Sequence, residues 1–159
     1  MAELPLGNST IMANTLSAAG RSKLMSSVRT KDTAPEMLVR RYLHGQGFRY
    51  RLQDKQLPGK PDIVLTKHKA VIFIHGCFWH KHGPGCGKRA RVPQSNTEFW
   101  EAKLATNVQR DQFVQAALKD AGWRVLVVWE CELKRAHRGA TLTRLTSDIL
   151  GCDEFWEAA

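Results

Sequence analysis

Three strand-like runs constrain this chain more than anything else in it: Asp62 to Leu65, Ala70 to Ile74, and Trp123 to Trp129, the last two separated by a long stretch with helical spacing. Short apolar runs rich in Val and Ile read as strands, and the first two, so close together, read as a hairpin. Asn96 or Thr97 can cap the long helix from Glu98 to about Ala121, and Gly122 ends it. Ahead of the sheet, a short basic helix is predicted around Ser22 to Val28. A second helix is predicted from Thr33, with Pro35 and Glu36 in its first turn, through about Leu43, where Gly45 and Gly47 stop it. Phe48, Tyr50 and Leu52 alternate with Arg49 and Arg51 as in a half-exposed strand, and a last helix is expected near Leu142 to Leu150. The expected fold class is α/β, a central mixed sheet flanked by helices.

A chain of 159 residues holds one ordinary core. The expected organisation is a leader over 1–20, one domain over 21–150 and an acidic tail over 151–159. No run approaches the roughly 18 apolar residues of a spanning helix, and no signal-peptide pattern precedes the domain, so a cytoplasmic protein with few disulfides is expected. The net charge is +9, and it is unevenly spread: residues 21–60 hold ten Lys or Arg against three acids, whereas residues 141–159 hold one Arg against four acids. The basic front is where a polyanion would be met, with Arg21, Lys23 and Lys60 as candidate phosphate contacts.

The chemistry is concentrated after the second run. His75-Gly-Cys-Phe-Trp-His-Lys-His-Gly-Pro-Gly-Cys86 holds three of the six histidines and two of the four cysteines. In a reducing compartment such spacing supplies thiolate and imidazole ligands for a tetrahedral zinc ion, with Cys77, His82 and Cys86 as three of them. Cys131, just beyond the last strand, is chosen as the fourth over Cys152 in the tail. A site with four protein ligands is closed, so this zinc is expected to be structural.

Gly59-Lys-Pro-Asp62 sets an acid at the start of one strand, and Ile74-His75 ends its neighbour. Together they can offer a carboxylate, a main-chain carbonyl and an imidazole to one Mg²⁺, the hard cation that phosphodiester hydrolysis uses. On the long helix, the stripe Leu104, Val108, Asp111, Leu118 turns Asp111 inward, where a carboxylate needs a partner. His80 is the candidate, since a carboxylate on one ring nitrogen makes the other a better general base. Phe78 and Trp79, in a glycine-rich loop, suit stacking on bases, and Trp100 either joins them or belongs to the core. Trp123 and Trp129 are assigned to the core.

Several ordered blocks resemble the Vsr very-short-patch-repair endonucleases: Arg21-Ser-Lys-x-Met25, Lys31-Asp-Thr-Ala34 with Glu36, Leu57-Pro-Gly-Lys-Pro-Asp62, Val71 to His80, Thr97-Glu-Phe-Trp100, Asn107-Val-Gln-Arg-Asp111 and Gly122 to Cys131. The resemblance implies a variant of the PD-(D/E)xK nuclease fold and a nick 5′ of the mismatched thymine in a T·G mismatch of duplex DNA, left by deamination of 5-methylcytosine. It makes Asp62 and the Ile74 carbonyl the Mg²⁺ ligands, His80 the base paired with Asp111, and His75 and Glu36 helpers that hold metal-bound water or the phosphate. It places Cys77, His82, Cys86 and Cys131 around zinc. Phe78, Trp79 and Trp100 would intercalate beside the mismatch, with Met25 entering from the minor groove. A monomer is expected, linked in function to a cytosine-5 methyltransferase and to mismatch-repair proteins. Two departures stand out: Ile74, where the family often has Thr, and a longer, glycine-rich His82-Gly-Pro-Gly-Cys86. The competing readings are a zinc-stabilised DNA-binding module without catalysis and a nuclease of the same fold with another DNA target.

Overall fold

The computed structural model describes residues 17, 19, 20, 23, 31–83, 85, 86 and 90–151. The expected helix from Ser22 to Val28, apart from Lys23, lies outside the described residues, as do Arg21, Met25 and Cys152. The chain divides into two units, Met1–Thr33 and Ala34–Ala159. In the first, Lys23 occupies an exposed helical position. The second carries the sheet.

Helix α1 spans Ala34–Gly45, followed by strands β1 at Arg51–Leu52, β2 at Ile63–Leu65 and β3 at Ala70–His75. Helix α2 runs over Thr97–Asp120, strand β4 over Arg124–Trp129 and helix α3 over Arg138–Leu150. The strands lie in the order β1-β2-β3-β4. The first three pair antiparallel. β3 and β4 pair in parallel, from Ala70 opposite Arg124 to His75 opposite Trp129. A parallel pair needs a crossover, and α2 supplies it. The sheet is therefore mixed, as the sequence predicted, and among the described residues no helix is long and apolar enough to cross a membrane.

Period-two alternation explains why the strands look apolar throughout. Ile63, Leu65, Ala70, Ile72 and Val128 face Val39 and Leu43 of α1 and Leu142, Leu145 and Ile149 of α3. The intervening Val64, Val71 and Phe73 face Val114 and Leu118 of α2. A sheet covered on both faces shows no polar side in its sequence.

Three expectations change. The Phe48–Leu52 segment joins the sheet only at Arg51–Leu52, because α1 claims the rest. Phe48 N–H closes the helix end on the Leu43 carbonyl at 3.0 Å, Gly47 takes φ +86°, and the Tyr50 hydroxyl donates to the Arg40 carbonyl. Asn96 precedes α2 in a left-handed conformation without a side-chain cap bond. The fully buried residues of α2 are Leu104, Val114 and Leu118, so Val114 joins the expected stripe, while Asn107, Val108 and Asp111 are half-buried.

The Leu57-to-Asp62 turn is held by a close approach. Gly59 sits at φ +69°, and a Cβ built on it would lie 2.3 Å from Cγ1 of Val114. Replacing Gly59 with Ala therefore combines a left-handed non-glycine with an overpacked contact, and is expected to cost roughly 2 to 4 kcal/mol. Denaturant unfolding of Gly59→Ala, Val114→Ala and the double variant checks this. The double variant is expected to be clearly more stable than additivity allows, because the small side chain removes the clash; strict additivity would show that the contact does not restrain the turn.

Candidate active site and metal cluster

The ends of β2, β3 and β4 gather the titratable side chains. Pro61, buried between the turn and β2, delivers Asp62 to the strand's start. Its Oδ2 accepts the Ile74 N–H at 2.7 Å, which ties the acid to the neighbouring strand one residue before His75. Burial is the main force on this carboxyl. It lifts the pKa from 3.8 to about 6 against the lowering effect of the Ile74 N–H, while the Glu36 charge raises it further and Arg40 opposes. Glu36, itself buried, is bound through Oε2 to Nη2 of Arg40 at 2.8 Å.

His75 ends β3 with the parity of Val71 and Phe73, so it faces α2. Asp111 comes down from that helix and its Oδ2 meets His80 Nδ1 in a short hydrogen bond. The inward Asp expected from helical spacing thus has the partner expected for it. His80 lies in the turn after β3, its N–H bonded to the Gly76 carbonyl. Its ring stacks on His75 with centroids 3.8 Å apart and planes within 7°. Donor atoms of His75, His80 and Asp111 all fall within 4.8 Å, yet parallel rings send their lone pairs side by side instead of toward one point. The trio is a hydrogen-bonded pair with a stacked neighbour more than a chelating set. Burial, and then the charge of a protonated His80, push His75 down from 6.5 to about 4, so it stays neutral at physiological pH.

A second cluster forms beside it. Cys77, His82, Cys86 and Cys131 each offer a donor atom, all within 4.8 Å of one another. His82 Nδ1 is 3.3 Å from Cys131 Sγ. A tetrahedral ion with bonds of about 2.0–2.3 Å has ligand separations of about 3.3–3.8 Å, so three sulfurs and one imidazole at this spacing fit a metal site. Burial pushes the Cys77 and Cys131 thiols up, and hydrogen bonds to Cys86 add to it. The three residues chosen from spacing, and Cys131 chosen for its place beyond the last strand, are therefore brought together.

Phe78, Trp79 and Trp100 also meet, each half-buried. Phe78 packs edge-on against Trp79 at 5.0 Å and Trp100 at 5.5 Å, and Phe99, 58% exposed, extends the group. Asn107 Nδ2 donates to the Trp79 carbonyl at 3.1 Å, pinning the loop to α2. No role was expected for Asn107, although its position four residues before Asp111 put it on the same inward face. Lys60 is exposed at φ +50° in the turn before Asp62. Trp129 departs from its core assignment: half-buried, it stacks on His82 and meets His75 edge-on. Trp123 sits at the core's edge beneath the Lys69 ammonium, 4.9 Å from the ring centroid.

A basic α/β protein that joins a buried carboxylate, an acid–imidazole pair and half-exposed aromatic rings along one sheet end belongs by class with the nucleic-acid hydrolases. The comparisons with known proteins are specific. The family model described as DNA mismatch endonuclease Vsr matches residues 13–86. The chain is 48% identical over 139 residues, 87% of its length and 97% of the relative's, to the type II nicking enzyme V.NmeAIP of Neisseria meningitidis. It is 47% identical over 123 residues, 77% of each chain, to the DNA mismatch endonuclease Vsr of Escherichia coli. The type II nicking enzyme V.XorIIP of Xanthomonas oryzae is 49% identical over 122 residues, 77% of this chain and 88% of that one. The chain belongs to the Vsr DNA mismatch endonuclease family.

Asp62 gives a stability test with a definite sign. Because its folded pKa is about 6 against 3.8, the folded chain binds this proton more tightly than the unfolded one. The group's contribution is favourable below about pH 4 and is withdrawn as pH rises from 4 to 6. In the metal-free protein, Asp62→Asn is therefore expected to raise stability at pH 7.5 by about 1 to 2 kcal/mol, allowing for partial screening, and to change little at pH 4. Melting curves at both pH values check this; a variant less stable at pH 7.5 would refute the assignment of burial as the dominant cause.

Proposed function

We propose that the chain is a strand-specific endonuclease that nicks duplex DNA 5′ of the thymine in a T·G mismatch, by Mg²⁺-assisted hydrolysis, in repair of deaminated 5-methylcytosine. The observation that carries the reading is the convergence of Asp62, the His80–Asp111 pair and the Phe78, Trp79 and Trp100 rings around the end of β3. A pure phosphate binder has no use for a buried acid beside an acid–imidazole pair.

Asp62 and the Ile74 carbonyl would hold Mg²⁺. The donors are hard oxygens, one Asp62 oxygen is left over from the Ile74 N–H bond, and the Glu36 charge nearby favours a cation. When bound, the ion supplies charge neutralisation at the scissile phosphate. The remaining work falls to the chain. Asp111 fixes the proton on His80 Nδ1, leaving Nε2 to take a proton from the attacking water. His75, neutral and stacked on His80, holds that ring in place and offers a polar edge to the phosphate. Glu36 acts through Asp62 by keeping its surroundings negative.

The four-ligand cluster would hold zinc, whose preference for thiolate and imidazole matches the donor set, as a structural ion. Phe78, Trp79 and Trp100 form a rigid wedge suited to entering a base step, which an unstable mismatch yields at lower cost than a matched pair. Arg21, Lys23 and Lys60 would contact phosphates and Met25 the minor groove. Pro61-Asp62 and Phe73-Ile-His75 would then stand where a PD-(D/E)xK nuclease has its proline–acid pair and its acid-x-lysine.

A duplex with one T·G mismatch, each strand labelled separately, tests this with Mg²⁺ or with EDTA. Cutting of the thymine strand alone, only with Mg²⁺, is expected. His80→Ala should slow it by about 10²- to 10⁴-fold and Asp62→Ala should abolish it, both retaining DNA binding. Equal cutting of matched and mismatched duplex would refute mismatch recognition, and full activity of Asp62→Ala would refute the site.

A further inference from the structure

The two clusters are joined by one side chain with no part in the mechanism so far. β3 and β4 end in register, His75 opposite Trp129, and each is followed two residues later by a cysteine of the metal cluster, Cys77 and Cys131. On one side the indole lies against the His82 ring, with centroids 3.9 Å apart and planes within 7°. On another it meets His75 edge-on, at 5.2 Å and 80°. His75 in turn stacks on His80. Four rings therefore form a contiguous chain from a candidate metal ligand to the candidate base, two stacked contacts joined by one edge-on contact. The backbone that carries the indole is anchored: the main-chain N–H of Trp129 donates to Glu132 Oε2 at 2.9 Å, and Glu132 is held by Arg144 at 3.0 Å.

We infer that Trp129 is a positioning residue through which the Cys/His cluster sets the orientation of the catalytic histidines. An imidazole ligand has one ring direction that suits its metal, so an ion held by His82 through Nδ1 fixes that ring's plane. The plane fixes the indole face, and the indole edge limits the tilt of His75 and hence of His80 against Asp111. The two stacked contacts transmit orientation because sliding or tilting either ring forfeits contact over its whole face, and the edge-on contact between them passes it on because the indole edge bounds the space in which the His75 ring can tilt. A metal cluster that only braced the loop would not require an aromatic residue at the strand's end.

The inference rests on the catalytic reading above, and the experiment separates the two. Full-length native protein, Trp129→Leu, Trp129→Phe and His80→Ala are compared in three measurements. These are retention of Zn²⁺ against a competing chelator, affinity for the mismatched duplex, and single-turnover nicking rate. Trp129→Leu is expected to hold Zn²⁺ about tenfold more weakly and to nick about tenfold more slowly with DNA affinity little changed, the size of effect seen when a residue supporting a metal ligand is lost. Trp129→Phe, which keeps a stackable ring, should recover most of both. Native nicking by Trp129→Leu while His80→Ala is inactive would overturn the coupling alone; native nicking by His80→Ala would overturn the catalytic reading beneath it. Equal losses in the Leu and Phe variants would also refute a role for the ring. Should Trp129→Leu fail to fold, Co²⁺ added to the metal-free native protein is expected to quench an indole emission that Trp129→Phe lacks, and absence of that difference overturns the proposal.

Discussion

The parallel pairing of β3 with β4 is the constraint on which the rest of the site depends. Because Ala70 starts opposite Arg124 and the ladder runs without a bulge to His75 opposite Trp129, both strands end at the same level and point the same parity of side chain to the same face. His75 and Trp129 become neighbours, and so do Cys77 and Cys131 two residues on. The crossover that a parallel pair requires returns over that face as α2, which brings Asp111 down onto His80. A slip of one residue between these strands would turn His75 toward α1 and α3 and part the cysteines. One register therefore serves both the titratable site and the Cys/His cluster.

Gathering these groups works against stability, and the surrounding packing offsets it. Asp62 and Glu36 are two acids in the same neighbourhood, each withdrawn from water. Arg40 is bound to Glu36, and Asp62 relies on a main-chain N–H. Gly59 and Lys60 both adopt positive φ to present the acid. Apolar layers on the two faces of the sheet, with Leu43, Ile63, Ile72, Leu104 and Leu118 all fully buried, supply the rigidity that holds such a site in place. Functional sites of this kind sit at the low end of local stability because the charge and strain useful for chemistry are unfavourable in the resting fold.

Much of this was legible in the sequence, for identifiable reasons. The strands, the long helix and its glycine stop followed from apolar runs and turn residues, since these patterns are local. The grouping of Cys77, His82, Cys86 and Cys131 and the His80–Asp111 partnership were legible because few other residue types suit such neighbours. What the sequence hid was tertiary. The backbone of Phe48 and the hydroxyl of Tyr50 are claimed by α1, which no alternation pattern reveals. Val108 and Val114 are equally apolar, and only the path of α2 across the sheet selects Val114. Trp129 looked like core because a tryptophan ending an apolar run usually is; its two histidine neighbours come from one distant loop and one adjacent strand.

The histidine pair shows how burial turns two copies of one residue into different tools. His75, deeper and next to a ring that can carry charge, is driven down to about 4, so it keeps one nitrogen open as an acceptor at neutral pH. His80 has the same side chain, but Asp111 Oδ2 stands against its Nδ1 in a short hydrogen bond. The two rings stack at 3.8 Å, and the one that meets the carboxylate is the one proposed above as the base. The proposed division of roles thus follows from where β3 ends and which inward position of α2 carries an acid. Exchanging the two environments would exchange the roles, because nothing intrinsic to either histidine distinguishes them.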